Sequence, residues 1–150
     1  DIEMPGKIPV RFFVTHFASK LGGQRADRLR KAEAKAAREI IQKETANFPG
    51  QRYVLLGDFN DTPESPAVKT FTTPDKQGWA LRDVFGDAPD TVSYPTDEEA
   101  AAKWGRKKID QILVSSQLME SFQSHQVHHH PADQLASDHW MVSSSFEIKN

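Results

Sequence analysis

A carboxylate and an amide two positions apart, Asp58 and Asn60, follow the apolar run Tyr53-Val54-Leu55-Leu56 and Gly57, and far downstream Ser137 leads into a second carboxylate beside an imidazole, Asp138-His139. Cleaving a phosphoester requires neutralising charge on the phosphoryl oxygens, activating a water and stabilising the leaving oxygen. Hard oxygen-ligated cations, carboxylates and histidines do this work well. Asp58 could orient or deprotonate the attacking water, or bind metal. The Asn60 amide can donate to a phosphate oxygen without adding negative charge beside it. Asp138 could bind a divalent cation. The adjacent His139, pointing differently along an extended chain, could contact the phosphate or be hydrogen-bonded by another carboxylate. Asp110 is the candidate for that orienting carboxylate. Taken singly, each is also explained as a polar turn or strand-edge residue; in combination the chemical reading is preferred.

Strand ends must hold these groups. Val10-Arg11-Phe12-Phe13-Val14-Thr15-His16-Phe17 is aromatic and β-branched, with apolar residues at both parities, which predicts a strand covered on both faces with His16 at its C-terminal end. Gly22-Gly23 breaks the chain. From Gln24 to about Thr45, Ala26, Leu29, Ala32, Ala36 and Ile40 recur at three- and four-residue steps, predicting an amphipathic helix supported by Asp27–Lys31 and Glu39–Lys43 pairs and ended by Phe48-Pro49-Gly50. The strand Tyr53–Leu56 then delivers Asp58. This is a βαβ-like unit, with a mixed sheet carrying an antiparallel neighbour equally open. Ser65 as N-cap and Pro66 at the first helical position predict a short helix through about Phe71. Residues 72–108 read as loop-rich, with a short element at Trp79–Phe85. Ile109–Val114 and Trp140–Ile148 read as strands, and Gln126–Pro131 is ambiguous. The fold class is α/β.

Composition narrows the partners less than the motifs do. A chain of 150 residues with 37% hydrophobic residues supports one domain's core. A formal net charge of -2 gives no whole-protein attraction for polyanions, so a site for one must be local. The absence of cysteine removes disulfides, thiolate metal sites and cysteine nucleophiles. No apolar stretch approaches the roughly 20 residues that span a bilayer. Asp1-Ile2-Glu3-Met4 resembles neither a signal peptide nor a native start, so the chain is expected to begin at a cut.

Other polar features divide between chemistry and surface. Trp104-Gly105-Arg106-Lys107-Lys108 is basic with an aromatic, so Trp104 and Arg106 could contact a phosphate or stack on substrate. His128 and His130 would project to one face of a strand and, with His125 and His129, offer a metal reading; loop or edge-strand histidines are the preferred one. Arg25 and Arg28 belong to an exposed helix face, and Tyr94 and Trp79 read as packing residues rather than a substrate rim.

Thr15-His16-Phe17, Gly57-Asp58-Phe59-Asn60, Lys108-Ile109-Asp110-Gln111-Ile112-Leu113-Val114 and Ser137-Asp138-His139-Trp140-Met141-Val142 resemble, in order and rough spacing, the C-terminal motifs of the endonuclease/exonuclease/phosphatase superfamily. That superfamily includes pancreatic deoxyribonuclease, abasic-site endonucleases, bacterial sphingomyelinases and inositol-phosphate phosphatases. The resemblance runs from about residue 9 to 147. It implies that His16 contacts phosphate or takes part in catalysis, Asp58 positions the nucleophilic water, Asn60 binds the phosphate, Asp110 pairs with His139, Asp138 is a metal ligand and His139 is the principal catalytic histidine. It implies Mg²⁺, or Mn²⁺ or Ca²⁺, and a phosphoester substrate: nucleic acid, phospholipid, or sugar or inositol phosphate.

The fold so implied is a four-layer α-β-β-α sandwich with mixed or antiparallel sheets, of which residues 1–150 form a C-terminal portion. The superfamily's domain opens with another half that carries an asparagine and a metal-binding glutamate. Nothing upstream of His16 supplies them, and Glu3 is not a credible substitute. The expectation is therefore that the N-terminal half is absent, cleaved or a separate chain. A non-catalytic binding module, or a structural fragment that needs a complementary chain, is the alternative. Gly57-Asp58-Phe59-Asn60-Asp61-Thr62-Pro63 resembles the wording of bacterial, often exported, members of unassigned substrate.

Overall fold

In the computed structural model, which describes residues 1–2, 9–48 and 50–148, the run predicted to open the fold forms strand β1 (Val10–His16). Helix α1 (Gly23–Thr45) carries the chain back to β2 (Arg52–Asp58), which pairs with β1 in parallel. A short α2 (Pro66–Thr72) follows, with Ser65 Oγ accepting from the Val68 amide and Pro66 at the first helical position as expected. Next come β3 (Arg82–Asp83), α3 (Glu98–Trp104), β4 (Asp110–Val114), α4 (Ser116–Met119), β5 (Phe122–His128), α5 (Pro131–Ala136) and β6 (Met141–Phe146). The main sheet has the order β1-β2-β4-β3, with β4 antiparallel to both neighbours, so both the βαβ unit and the mixed sheet are present. Strands β5 and β6 form a separate antiparallel pair.

The sheet separates two apolar clusters. On one face Phe13, Leu55 and Leu113 pack with Ala34 and Ile41 of α1, Val68 and Phe71 of α2, and the Phe17 and Phe59 rings. On the other, Val54, Ile112 and Val114 meet Val127, Trp140, Val142 and Phe146 of the β5–β6 layer. That second layer does not reach across β1. Phe12 is 43% exposed and Val14 78%, so the expectation of a strand covered on both faces holds at Val10 and fails beyond it. An apolar cavity of about 380 Å³ opens there, between Phe12 and Leu56 on one side and Val142 and Phe146 on the other.

Helix α1 sits differently from its predicted stripe. Leu29 and Ile40 are exposed, as are Ala32 and Ala36, and the buried line runs Ala26, Arg30, Ala34, Ile41. The reason is an ion pair that helical periodicity alone does not reveal. Arg30, only 1% exposed, donates from Nε to Asp61 Oδ2 at 3.2 Å and from Nη1 to the Ala18 carbonyl at 3.0 Å, and it also pairs with Asp27. Lys20 Nζ closes on Asp61 Oδ1 at 2.6 Å. Asp27 therefore pairs with Arg30 rather than Lys31, and Glu39 with Lys35 rather than Lys43. A buried guanidinium needs such partners, since an unpaired charge in an apolar setting is strongly unfavourable.

Residues 72–108 hold more structure than their loop-rich reading. Helix α3 is capped by Asp97, whose side chain accepts from the Ala100 amide, and it ends at Gly105. Gln126–Pro131 resolves into the end of β5, then the turn into α5. Glu3 and Pro49 lie outside the described residues. Among the described residues no helix is long and apolar enough to cross a membrane.

Burial drives the Asp61 carboxyl up, but Lys20 and Arg30 outweigh it and hold the group below the usual aspartate range. A carboxylate depressed in the folded state contributes stability above its unfolded pKa and loses it as pH falls through the folded value. Asp61→Asn should therefore destabilise the protein by about 3 kcal/mol at neutral pH by leaving Arg30 short of a partner. Its penalty should shrink as the medium is acidified below the ordinary aspartate pKa. Denaturant unfolding of both proteins across that window checks it; a penalty unchanged by pH would reject the ion pair as its source.

Candidate active site

Strand register assembles the site. On the face of the sheet turned toward β5 and β6, cross-strand partners form successive rows: Phe12, Val54 and Val114, then Val14, Leu56 and Ile112, then His16, Asp58 and Asp110. Two apolar rows end in one of an imidazole and two carboxylates. Residues two apart on a strand share a face, so the titratable row belongs to the same surface as the apolar ones. His16 Nε2 lies 3.5 Å from Asp58 Oδ2.

Gly57, one step back on the opposite face, makes the close β1–β2 approach possible. Its φ is +137°, and a Cβ built there would lie 1.9 Å from the Thr15 carbonyl oxygen. Beyond the strand the chain turns sharply. Asn60 takes a left-handed φ of 50°, its amide donates to Asp58 Oδ1 at 2.7 Å, and its Nδ2 donates to the Phe17 carbonyl at 2.9 Å and to Asp58 Oδ2 at 3.1 Å. Asn tolerates this backbone better than most residues. Phe17 N to Asp58 O at 3.0 Å and Phe59 N to Ile109 O at 2.9 Å extend the pairing past the strand ends and stiffen the platform.

His139 arrives from the other layer, at the entrance to β6. Its Nδ1 lies 2.8 Å from Asp110 Oδ2. The segment that presents it is pinned by a loop that sequence reading left unassigned. Thr96 N donates to the Asp138 carbonyl at 2.9 Å, Thr96 Oγ1 donates to the Ser137 carbonyl at 3.1 Å, and Trp140 N donates to the Ser93 carbonyl at 2.7 Å. Ser93 Oγ in turn accepts from the Asp110 amide at 3.2 Å. Both Ser93 and Thr96 are buried. Tyr94 packs its ring 4.8 Å from that of His139 at an interplanar angle of 49°. The scattered small polar residues of this loop give little signal, because these hydrogen bonds reach across 17 to 47 positions of sequence.

The electrostatics are coupled. Burial pushes the Asp58 carboxyl above its usual value, against the Asn60 amide; the Asp110 charge adds to the rise and His139 and His16 oppose it. The hydrogen bond to Asp110 lifts His139 above the ordinary imidazole value, burial works against that, and the charges of Asp110, Asp58 and Asp138 add to it. The two groups thus shift in the same direction, Asp58 chiefly through burial and His139 chiefly through its hydrogen bond to Asp110.

The remaining expected residues sit outside this cluster. The Asp138 side chain is exposed beside it. Its oxygens are the right chemistry for a hard cation, yet among the described residues no three His, Asp or Glu side chains come together as a metal-holding group. Arg106 spends its guanidinium on Glu98 and on the Pro95 carbonyl, and Trp104 is 44% exposed with Lys103 Nζ 4.8 Å from its ring. The histidine run is accounted for structurally: His128 bonds Ser143 Oγ at 2.7 Å, His129 lies 3.1 Å from Asp90, and His130 caps α5. His128 and His130 do not share a strand, since β5 ends at His128.

A family model described as the endonuclease/exonuclease/phosphatase family matches residues 3–139. Among solved structures, the chain is similar to an endonuclease/exonuclease/phosphatase from Bacteroides vulgatus at 26% identity and a TM-score of 0.66, covering 92% of this chain and 50% of that one. It is also similar in fold to a mannosyl-6-phosphatase of Bacteroides thetaiotaomicron VPI-5482 (19% identity, TM-score 0.67, 91% and 51% covered). A truncated TDP2 of Caenorhabditis elegans superposes as well (17% identity, TM-score 0.69, 95% and 56% covered). The chain thus spans about half the length of these proteins. No curated protein matches by sequence.

Two measurements test the architecture. Gly57→Ala should destabilise the protein by more than about 3 kcal/mol, because the added methyl meets backbone rather than a movable side chain; an unfolding midpoint within error of the parent would reject the close approach. Asp110→Asn should lower the His139 pKa, read from the imidazole proton shifts by NMR titration. An unmoved titration would show that the 2.8 Å pair does not exist in solution.

Proposed function

The chain belongs to the endonuclease/exonuclease/phosphatase family, and on that premise we propose that it carries the acid–base half of a site hydrolysing a phosphoester by in-line attack of water. The observation that carries the reading is the row His16, Asp58 and Asp110 in one register across three strands, with His139 seated on Asp110. In this reading Asp58 orients the attacking water, and Asn60 and His16 contact phosphoryl oxygens. His139, aligned by Asp110, meets the charge that grows on the phosphoryl group as the bond from phosphorus to the leaving oxygen breaks. Both Nδ2 hydrogens of Asn60 are spent on Phe17 O and Asp58 Oδ2, so in this reading its amide exchanges the Asp58 contact for a phosphoryl oxygen when substrate enters.

The metal is part of the proposal. Among the described residues the carboxylates do not form a complete cation site by themselves. Asp138 would be one ligand of Mg²⁺, or of Mn²⁺ or Ca²⁺ in its place, and a bound cation would neutralise charge on the phosphoryl oxygens. The other ligands would come from a complementary half of the domain, in the same polypeptide or as a separate chain. The substrate class is a phosphodiester or phosphomonoester: nucleic acid, phospholipid, or a sugar or inositol phosphate. Trp104 and Arg106 would lie on its approach side. The open face at Phe12 and Val14 favours, as a second reading, a structural fragment that is active only with its complement.

The test is hydrolysis by the intact protein of duplex DNA, abasic DNA, sphingomyelin, inositol phosphates and a chromogenic diester, with Mg²⁺ and with chelator. One class should be cleaved, chelation should abolish the activity, and Asp58→Asn and His139→Ala should each lower kcat/KM by about 10²–10⁴. Activity that survives chelation would refute the metal, and variants as active as the parent would refute the assigned roles.

A further inference from the structure

At the opposite end of β2 from Asp58, on the face turned to α1, lies an open depression of about 550 Å³, within the size range of small-molecule sites. Tyr53, five residues before Asp58, stands on it, so it is about 17 Å from the titratable row at about 3.3 Å per strand residue. Its lining includes four glutamines, Gln42, Gln51, Gln77 and Gln117, together with the Tyr53 and Trp79 rings. None of its lining residues is charged, in a chain where 27% of residues are.

This surface is organised rather than incidental. Asp75 alone arranges three of its members. Its Oδ2 accepts from Gln42 Nε2 at 3.0 Å and from Arg38 Nη2 at 2.7 Å, and its Oδ1 accepts from the Trp79 amide at 3.0 Å and the Gln77 amide at 2.9 Å. Arg38 lies over the Trp79 ring at 4.6 Å and fixes it from behind the Asp75 contact. Gln51 is 7% exposed, and its Oε1 is buried with no hydrogen-bond partner. A buried acceptor left unsatisfied points to a donor that the chain itself does not supply.

We infer that this depression is a binding site for a neutral sugar unit, separate from the phosphoester site. Amides present a donor and an acceptor side by side, which matches hydroxyl groups that both donate and accept. The apolar C–H face of a sugar ring packs on an aromatic side chain. An anionic ligand finds no cation in the lining, and a purely apolar one would leave the glutamine amides unpaired. The inference is independent of the hydrolytic reading.

The test follows the Trp79 indole and glutamine side-chain amide resonances of the intact protein by NMR during titration with methyl glucoside, methyl mannoside, methyl galactoside and maltose. Glucose 6-phosphate and adenosine are the charged and planar controls. A saturable shift of the Trp79 indole with a neutral sugar is expected. Affinity should fall about tenfold in Gln77→Ala/Gln117→Ala, whose residues are exposed and whose loss leaves the core intact. Gln51→Met should weaken binding similarly while leaving the unfolding midpoint unchanged or raised, since it removes an unsatisfied buried acceptor. Absence of any saturable shift, equal binding by these variants, or tighter binding of a control would overturn the assignment. Because catalysis is read from Asp58 and His139 variants, failure here leaves the phosphoester reading separately testable.

Discussion

Everything chemical in this molecule depends on how β2 is held between its two neighbours. Parallel to β1 and antiparallel to β4, it places His16, Asp58 and Asp110 in one row, although these residues are separated by 42 and 52 positions of sequence. A slip of one residue in either pairing would send a carboxylate to the α1 face and a Gly or Gln to the row. Gly57 guards the register sterically, because its close approach to the Thr15 carbonyl leaves no room for a side chain. The hydrogen bonds from Phe17 and Phe59 continue the same pairing beyond the strands, where the functional groups emerge.

Two polar networks then hold what packing alone would leave loose. Arg30, Asp61, Lys20 and Asp27 seat the start of α1 against the turn that follows Asn60. Gln111, fully buried, donates from Nε2 to the Lys108 carbonyl at 3.1 Å and to the Asp61 carbonyl at 3.4 Å, tying β4 to that same turn. Ser93 and Thr96 do the equivalent for Ser137–Trp140. The Asn60 turn and the His139 segment are thus each fastened from behind by side chains that make no chemical contribution of their own.

How far the sequence discloses this depends on the range of the interaction. Strands with continuous apolar runs, the Ser65-Pro66 helix start and the four ordered motifs were legible because their signals are local or combinatorial. The Asp110–His139 pair was legible only through the motif order, since nothing local links residues 29 apart. The α1 stripe is not legible, because a buried arginine breaks the apolar period and its partner Asp61 lies 31 residues away. Helix α3 is bracketed by Asp97 and Gly105, but Gly, Pro and Asp elsewhere in residues 72–108 obscure a seven-residue element.

The three rows of the inter-layer face also link completion of the core to completion of the site. Phe12 and Val14 stand exposed on the face that carries His16, and their partners Val54 and Leu56 lie on the face that carries Asp58. A segment that shields the two exposed side chains must lie along β1, and two further residues of travel along the strand, about 7 Å, bring it to His16. The hydrophobic gain of covering Phe12 and Val14 would accompany any such approach, at about 25 cal/mol per Å² of apolar surface removed from water. On the proposed reading, ligands for a cation beside Asp138 would need no separate driving force if they arrived on that segment. The same burial that finishes the fold would then set the position of the last charges in the site.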